Sequence, residues 1–597
     1  MILPTLNEII TQRDIVDEFR GYNHNLRIGD GEFYDMKNLT SAYYPVLAPR
    51  SKRGVYEYPE GSGDNHTPNG LISKDALCYV DGAKLFINNK EIVDLELSDS
   101  PKQLISMGAY IIIMPDKKYI NTKDFADCGN IEATFPATEG QILTVTYEMC
   151  RLDGTVYTDV VKQSTAPENP TNMQYWIDTS STPHILKQYS ETSKVWNQIA
   201  TCYIRISAPN IAANFKQYDA VKISRLPVEQ VPQLKDLEGN ISVLWDAHHD
   251  EENPTNDYIV VVGFLDEVET HESQLRLEQR MPVMDFIIES GNRLWGCRYG
   301  ENANGDIVNE IYASKLGDFK NWNCYMSVST DSYYAQLGTD GQFTGAITHL
   351  GYPLFFKENC VHKVYGNYPA NFQIQTTACR GVQKGCGKSL AIVNEVLYYK
   401  SRGGICAYDG SLPTEISSAL GEITYSDAVA AGHNNKYYIS MKDNEGKYNL
   451  FVYDARKGMW HKEDEIKIDD YCSQDGELYA ISNGKIITLL GSGKKDSDAV
   501  KWMAETGVIG MYTPDKKYIS RLNIRMSLDI GSKMNFFIQY DSGGEWEQLS
   551  AMTGTSLRSF TVPVRPHRCD HFRLRIVGEG DARIYSITKT LEQGSDM

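Results

Sequence analysis

The sequence lacks the short features that usually identify a chemistry or a compartment. Its 12 cysteines are scattered and no two form CxxC, so spacing predicts neither a zinc nor a disulfide framework but buried, reduced thiols of a protein assembled in a cytoplasm. No run of about 18 apolar residues occurs, so we expect no membrane span. The N-terminal residues show no basic region followed by an apolar run, and we therefore expect no signal peptide.

An excess of basic charge is also missing. Lys and Arg number 59 against 78 Asp and Glu, a formal net charge of −19, which argues against a protein that wraps nucleic acid. An acidic channel wall would still let DNA slide without sticking. The length of 597 residues predicts several domains. The 38 tyrosines suit half-buried strands and interfaces.

What is present is a succession of short strands separated by turn residues. Residues 77–92 contain three apolar runs joined at Asp81-Gly82 and Asn88-Asn89, pairs that tolerate the positive φ of two-residue hairpin turns. Similar meanders recur to about residue 495 with a repeat of about 40 residues, the length of a four-stranded blade. We predict a mainly β fold containing a β-propeller of about six to seven blades. An array of flat sandwiches is the alternative.

The N-terminal 60 residues are predicted to form a helix followed by an extended docking arm. Thr5 suits the N-cap of a helix over residues 5–20. Farther on, Arg50, Lys52 and Arg53 form a small basic cluster. This cluster is either a solvated arm or a segment that docks onto an acidic neighbour.

The remaining chain divides by changes in the strand pattern. We predict the first blades over 61–130, a small β-domain inserted over 131–235 where the repeat stops, and the remaining blades over 236–498. Insertion into a loop is thermodynamically cheap. Apolar and polar residues alternate over 518–528 and in later runs, which predicts a C-terminal β-sandwich over 499–597.

Three stretches resemble functional motifs but fail in detail. Residues 381–389 read GVQKGCGKS, yet Val382 stands where a phosphate loop needs glycine and a strand follows; we predict a glycine-rich connection between blades. The run from His248 to Glu252 packs metal-type ligands side by side, where they point apart, so an acidic solvated loop is favoured. Residues 443–446 lack the acidic pattern of a calcium loop and predict a hairpin turn.

The sequence therefore predicts no catalytic, cofactor-binding or metal-ligating residues, no cofactor and no enzyme. No GxSxG elbow occurs, and no cysteine stands in a recognisable protease context. A carboxylate pair for glycoside hydrolysis stays open, because two such residues meet only in the fold and some propellers are glycosidases.

One succession of residues resembles a known family. Residues 292–295 read NRLW, 311–322 read IYASKLGDFKNW, 345–348 read GAIT and 354–359 read LFFKEN. The order is similar to that in the tail nozzle and packaged-DNA stabilisation proteins of short-tailed bacteriophages. Residues 31–50 also resemble the opening of such proteins. The match lies mainly within residues 285–365.

The resemblance implies a structural protein of a virion tail, a propeller arranged in a ring around the DNA exit channel. Six copies are expected, with a portal or adaptor protein and tail fibre or tail-tip proteins as partners. Double-stranded DNA would pass during ejection without sequence-specific binding. A ring built from one heterologous interface is the expected symmetry, and assembly would occur in the bacterial cytoplasm.

A second function remains open from the residues. The chain could be a carbohydrate-binding or glycan-hydrolysing propeller that acts as a receptor-binding tail protein. Trp176, Trp196 and Trp546 lie outside the predicted propeller core and could stack on sugars, although burial within a sandwich is the commoner role of such residues.

Overall fold

Short antiparallel strands form most of the regular structure. The computed structural model describes residues 11–59, 65–302, 304–495, 498–512 and 515–593, with 52% strand and 4% helix. In these ranges no helix is long and apolar enough to cross a membrane. The helices are short 3-10 turns at Ser41–Tyr43, Pro232–Asp236, Pro254–Asn256, Pro369–Asn371, Gly387–Ser389 and Ser418–Leu420.

The N-terminal segment forms short strands, several of which pair with strands far along the chain. Its strands are β1 (Thr11–Val16), β2 (Gly21–Tyr22), β3 (Glu32–Lys37), β4 (Leu39–Thr40), β5 (Ala48–Pro49) and β6 (Gly54–Val55). Residues 11–16 of the predicted helix form β1, which pairs with the last strand of the chain, Ala582–Gln593; residues 5–10 lie outside the described residues. Helical periodicity misled here because Ile15 and Val16 suit a strand equally well.

The first two blades follow directly. They comprise β7 (Pro68–Lys74), β8 (Ala76–Asp81), β9 (Lys84–Ile87), β10 (Lys90–Ile92), β11 (Gln103–Met107), β12 (Tyr110–Met114), β13 (Lys118–Asn121) and β14 (Asp124–Asn130). The meander over residues 77–92 is confirmed as β8 to β10. Asn88 and Asn89 take φ values of 49° and 64°, as the predicted hairpin turn requires.

An inserted β-domain separates the second blade from the third. Its strands are β15 (Ala133–Phe135), β16 (Leu143–Cys150), β17 (Val161–Gln163), β18 (Tyr175–Asp178), β19 (Ile185–Ser190), β20 (Val195–Gln198), β21 (Tyr203–Ser207), β22 (Ala220–Ser224), β23 (Ile241–Val243), β24 (Asp246–His248), β25 (Tyr258–Val262), β26 (Glu269–Ser273) and β27 (Arg276–Gln279). They form sheets ordered β15-β27-β22-β23, β24-β25-β21-β16-β26 and β17-β18-β19-β20. The expected return to the propeller at 236 thus lies inside the insertion, since β25 pairs with β21.

Five further blades complete the propeller. Their strands are β28 (Phe286–Ser290), β29 (Arg293–Glu301), β30 (Ile307–Ala313), β31 (Tyr333–Gln336), β32 (Gly345–His349), β33 (Tyr352–Lys357), β34 (Cys360–Tyr365), β35 (Gln373–Ala378), β36 (Ala391–Val393), β37 (Val396–Ser401), β38 (Gly404–Tyr408), β39 (Thr414–Glu415), β40 (Tyr425–His433), β41 (Lys436–Asp443), β42 (Tyr448–Asp454), β43 (Met459–Lys462), β44 (Asp470–Gln474), β45 (Glu477–Ser482) and β46 (Lys485–Thr488). First strands of neighbouring blades contact each other around the ring, from β44 to β7, and between the fourth and fifth blades the turn Gly387–Ser389 contacts both β32 and β37. Within the described residues, seven blades therefore surround one channel.

The ring is closed by the N-terminal segment. Strand β6 pairs with β46 of the seventh blade and with β47 (Lys494–Lys495). Close by, Arg53 pairs with Glu463 at 2.9 Å and Asp464 at 2.7 Å, and Arg50 pairs with the same two carboxylates at 3.5 and 3.3 Å. Of the two alternatives for the basic cluster, docking onto an acidic neighbour holds for Arg50 and Arg53, and that neighbour lies within the same chain.

The C-terminal region is a β-sandwich built around a long bent hairpin. Its strands are β48 (Lys501–Thr506), β49 (Lys517–Tyr540), β50 (Glu547–Val562), β51 (Phe572–Glu579) and β52 (Ala582–Gln593). The first half of β49 pairs with β52 and the second half with β51, and Leu522 and Phe536 from the two halves share one hydrophobic core. The predicted mainly β fold, with propeller, inserted β-domain and C-terminal sandwich, is confirmed.

Candidate functional site

One mouth of the propeller channel holds a cavity of about 510 Å³. The cavity lies where the first strands of the first, second and seventh blades begin. Segments far apart in the chain supply its polar lining, which includes Asn69, Asp99, Lys388, Asp469 and Asp470. We name this cavity the channel mouth.

Asp470 is the most strongly constrained acid of the channel mouth. Its Oδ1 accepts a hydrogen bond from the Tyr471 amide at 3.0 Å, and its Oδ2 accepts one from the Leu71 amide at 3.4 Å. Burial raises the pKa of the Asp470 carboxyl, while the Lys388 ammonium, 3.9 Å from Oδ1, opposes that rise. Desolvation favours the protonated acid, whereas the two amide hydrogen bonds and Lys388 favour the carboxylate.

Hydrogen-bond acceptors dominate the remaining wall. The side-chain amide of Asn69 donates to Asp99 at 3.3 Å, whereas the amide oxygen of Asn69 is buried without a hydrogen-bond partner. The Asp469 carboxylate pairs with Lys467 at 2.6 Å. The Asp99 and Asp469 carboxylates line the cavity and accept hydrogen bonds, so this wall suits a ligand rich in hydroxyl or ammonium groups.

The glycine-rich stretch 381–389 lies across the channel beside this cavity and, as predicted, connects two blades. A Cβ added at Gly387 would lie 2.9 Å from the Thr344 carbonyl and 3.0 Å from the Phe286 ring, so only glycine permits this approach. The loop is also held by a hydrogen bond from Tyr437 to the Ser389 carbonyl at 2.7 Å. It thereby contacts the third, fourth and sixth blades.

Lys388 extends from this loop to the seventh blade. Its ammonium donates to the Asp469 carbonyl at 2.9 Å. The stretch that resembles a phosphate loop therefore brings a cation to acidic side chains, and its only helical turn is the three-residue Gly387–Ser389. That turn is too short to present a helix N-terminus to a phosphate.

The other motif-like stretches are satisfied within the chain. His249 pairs with Asp257 at 2.7 Å, and the His248 ring stacks on Tyr258. Asp443 accepts the amides of Glu445 and Lys447 at 3.0 and 2.9 Å, as in a hairpin turn. Among the described residues no group of three or more His, Cys, Asp or Glu could hold a metal ion.

The three tryptophans considered as sugar platforms are largely covered. Trp176 is 5% exposed, and its indole N–H donates to the Gln163 carbonyl at 2.9 Å. The Trp196 ring meets Trp176 edge-on at 5.3 Å. The Arg575 guanidinium lies 4.0 Å from the centre of the Trp546 ring. The Trp176 ring is therefore inaccessible to a sugar, and Arg575 covers one face of the Trp546 ring.

The residues that carry the family resemblance form a structural joint. Asn321 is 1% exposed; its Oδ1 accepts from the Ala220 amide at 2.9 Å and from Gln279 at 3.1 Å, while its Nδ2 donates to Asp219 and Asp318 at 2.8 Å each. Ala220, Gln279 and Asp219 belong to the insertion. The GDFKNW stretch therefore attaches the insertion to the third blade.

Arg293 of the NRLW stretch holds the same region from within. Its guanidinium is buried and donates to the carbonyls of Ser314, Ser329 and Asp331. Burial lowers the pKa of Arg293, but an arginine stays charged at that cost. The motif arginine thus orders the loop that carries the joint.

Sequence reasoning did not single out the acids of the channel mouth. Asp99 and Asp470 each lie within a few residues of the start of a first strand, β11 or β44. All first strands of a propeller begin at the same face, so acids at these positions converge once the blade register is known. An acid at or shortly before a first strand, as at Asp99 and Asp470, was the available signal.

Comparison with known proteins finds no matching family model and no matching curated protein. Among solved structures, the chain is similar to an exo-β-1,3-galactanase from Phanerochaete chrysosporium, with 9% identity over 50% of this chain and 95% of that one, at a TM-score of 0.21. It is also similar to the extracellular domain of a putative hybrid two-component system from B. thetaiotaomicron, with 9% identity over 92% and 98% of the two chains, at a TM-score of 0.23.

A third similar structure is a glycoside hydrolase family 43 arabinoxylan arabinofuranohydrolase from Bacillus subtilis, with 9% identity over 49% of this chain and 92% of that one, at a TM-score of 0.18. Likeness at this level identifies no substrate. The prediction that the chain is not an enzyme rested only on missing short motifs and does not stand. Acids from distant blades can assemble a site that no motif reveals.

Proposed function

We propose that the chain binds a glycan in the channel mouth and that Asp470 donates a proton to a glycosidic oxygen of that glycan. The observation that carries the proposal is the convergence of Asp99, Asp469 and Asp470 on one cavity of about 510 Å³, in which burial raises the pKa of the Asp470 carboxyl. Glycoside hydrolysis uses a pair of carboxyl groups beside the scissile bond, one of which donates a proton to the glycosidic oxygen.

The ligand class follows from the lining. Sugar hydroxyls can donate to the Asp99 and Asp469 carboxylates that line the cavity. Lys388 supplies a donor to ring or hydroxyl oxygens from the opposite blade. Polar contacts of this kind fix the orientation of a ligand within a pocket.

Hydrolysis would also need an ionised carboxylate. Asp99 and Asp469 both line the channel mouth with Asp470. Asp470 would protonate the leaving oxygen as the C–O bond breaks, and one of the two carboxylates would take a proton from the attacking water. Atoms and charge then balance without a further reactant.

The test is binding and product analysis on a panel of oligosaccharides. The panel includes β-1,3-galactotriose and cellotetraose, the ligands named for two of the similar structures. We expect calorimetry to show binding by the natural chain, and chromatography to show product that Asp470→Asn abolishes while binding remains. Asp475→Asn, on an exposed turn of the same blade, is the matched control. Failure of every glycan to bind overturns the proposal; binding without product removes only the proton-donor role.

A second function is favoured by a separate observation. The residues that resemble the phage tail family form the rigid joint between the insertion and the third blade. We propose that the joint fixes the insertion in the orientation that a closed ring of a short-tailed phage tail requires, with about six copies around the DNA exit channel. Portal or adaptor and fibre proteins would be its partners within the virion.

In such a ring the DNA would pass between subunits. The channel of a single propeller is crossed by the loop at Gly387, and a net charge of −19 suits a wall along which DNA slides. Negative-stain electron microscopy of the purified chain separates the proposals. A ring with a central hole of duplex width supports the tail role, and a monomer at micromolar concentration contradicts it.

A further inference from the structure

A second cavity, of about 340 Å³, lies at one end of the sixth blade. It is bounded by the hairpin turn before β41, the turn between β42 and β43, and the N-terminal segment near Ala42. Its polar lining is Asn434, Asn435, Lys436, Asp454, Arg456 and Lys457. Three cations thus face one carboxylate.

That carboxylate is already occupied. Asp454 is 4% exposed. It accepts the Ser41 hydroxyl at 2.6 Å and the amides of Arg456 and Lys457 at 3.2 Å each. The ammonium of Lys457 lies 3.6 Å away and also donates to the Ser41 carbonyl. Asp454 therefore serves the turn and leaves the other two cations without an anion.

Of these two cations, Lys436 most clearly lacks an anionic partner within the described chain. Its ammonium makes one hydrogen bond, to the Thr40 hydroxyl at 3.2 Å, and no carboxylate lies within ion-pair distance among the described residues. Burial and the nearby Lys457 lower its pKa, and Asp454 acts in the opposite direction. The exposed guanidinium of Arg456 has no hydrogen bond or ion pair within the described chain. A half-buried ammonium with two unused donors is an unfavourable arrangement without a ligand.

We propose that this cavity binds a tetrahedral dianion, a phosphate or a sulfate group, through Lys436, Arg456 and Lys457. Among the described residues Lys436 and Arg456 have no anionic partner, and their two positive charges match the two negative charges of such a group. A guanidinium can donate two parallel hydrogen bonds to its oxygens, and the ammonium of Lys436 supplies a second direction of contact. The site is separate from the channel mouth and does not depend on glycan binding.

The test is isothermal titration calorimetry of the full chain with inorganic phosphate, against sodium chloride of equal ionic strength. We expect one phosphate per chain. Affinity should fall about tenfold in Lys436→Met and several-fold in Arg456→Gln, as expected for lost charge-assisted hydrogen bonds. Lys447→Met removes an exposed lysine at the tip of a neighbouring hairpin and should leave binding unchanged.

Thermal unfolding separates loss of the site from loss of the fold. Phosphate should raise the Tm of the natural chain but not that of Lys436→Met. Without phosphate, Lys436→Met should unfold no lower than the natural chain, because an unpaired ammonium is replaced by an apolar side chain. Absence of saturable binding, equal weakening by Lys447→Met, or full affinity in Lys436→Met would each overturn the proposal.

Discussion

The Nδ2 atom of Asn321 lies 2.8 Å from Oδ1 of Asp219. Asn321 belongs to the third blade and Asp219 to the insertion, 102 residues earlier in the chain. Both are almost fully buried, and burial raises the pKa of the Asp219 carboxyl. This single amide side chain therefore connects two units that pack around separate hydrophobic cores.

Replacing Asn321 with alanine should loosen that joint. The change leaves the Ala220 amide without its acceptor and removes one donor each from Asp219 and Asp318, which costs about 2–4 kcal/mol. Urea unfolding should show the loss, and limited proteolysis should show faster cleavage between residues 133 and 279. Asn197→Ala, at an exposed strand position of the insertion, should change neither; equal cleavage of the two variants would contradict the role of the joint.

Replacing Arg53 with methionine should weaken the closure of the ring. Arg53 is the shared partner of Glu463 and Asp464 beside strand β6. Its removal leaves Arg50 as the remaining guanidinium that pairs with the two carboxylates, so their charge is only partly compensated, and we expect a loss of about 2–3 kcal/mol, below that of a fully broken buried pair. Hydrogen exchange should then quicken at residues 54 and 55. Arg20→Met breaks only the exposed pair with Glu18 and serves as control; similar losses in both variants would refute the closure role.

His461 should make the fold sensitive to acid. Burial, reinforced by Lys436, lowers the pKa of His461 from 6.5 to about 3. Below pH 6.5 His461 binds a proton in the unfolded chain but not in the folded chain. The free energy of unfolding therefore decreases as the pH is lowered from 6.5 to about 3. The slope for one such group is about 1.4 kcal/mol per pH unit.

The measurement is urea unfolding at pH 7, 6 and 5. His461→Phe should reduce the slope by about one proton. Burial also lowers the pKa of His362, to about 4. His362 should therefore contribute a similar pH dependence of stability, which remains in His461→Phe. His567→Phe alters an exposed ring and should leave the slope as it is. An unchanged slope in His461→Phe would show that this imidazole does not control the response.

Replacing Lys388 with methionine should raise the pKa of Asp470 further. The Lys388 ammonium is the charge that opposes the desolvation of this carboxyl, so its removal favours the protonated acid. Carbodiimide labelling, which requires the protonated acid, should continue at Asp470 to higher pH, as read by peptide mass spectrometry. Lys485 is exposed on the same blade, and Lys485→Met should not shift the labelling curve. A shift equal to that of Lys388→Met would show that Lys388 has no specific effect on Asp470.

Local patterns decided much of the fold. The positive φ of Asn88 and Asn89, and the apolar runs beside them, are properties of consecutive residues, so the first meander could be predicted. The end of the insertion could not, since β25 has the same buried-strand pattern as a blade strand. The pattern of apolar residues predicts that a side chain is buried, but not which sheet covers it.

The channel mouth depended even more on tertiary structure. Lys388 and Asp470 are 82 positions apart and meet only when the fifth, sixth and seventh blades are placed in order. Neither residue belongs to a spaced motif, because a propeller brings the starts of its first strands to one face whatever their separation in the chain. Distance along the chain therefore concealed the site.

By itself the sequence determined the strand content, the turns, the repeated blades and the presence of an insertion and a C-terminal sandwich, because these depend on side chains close together in the chain. The tertiary structure alone decided that the first described residues form β1 instead of a helix, that Arg50 and Arg53 dock within the chain, and that distant acids surround one cavity. Each of these depends on a partner strand or charge supplied from far away, and local sequence carries no record of that partner.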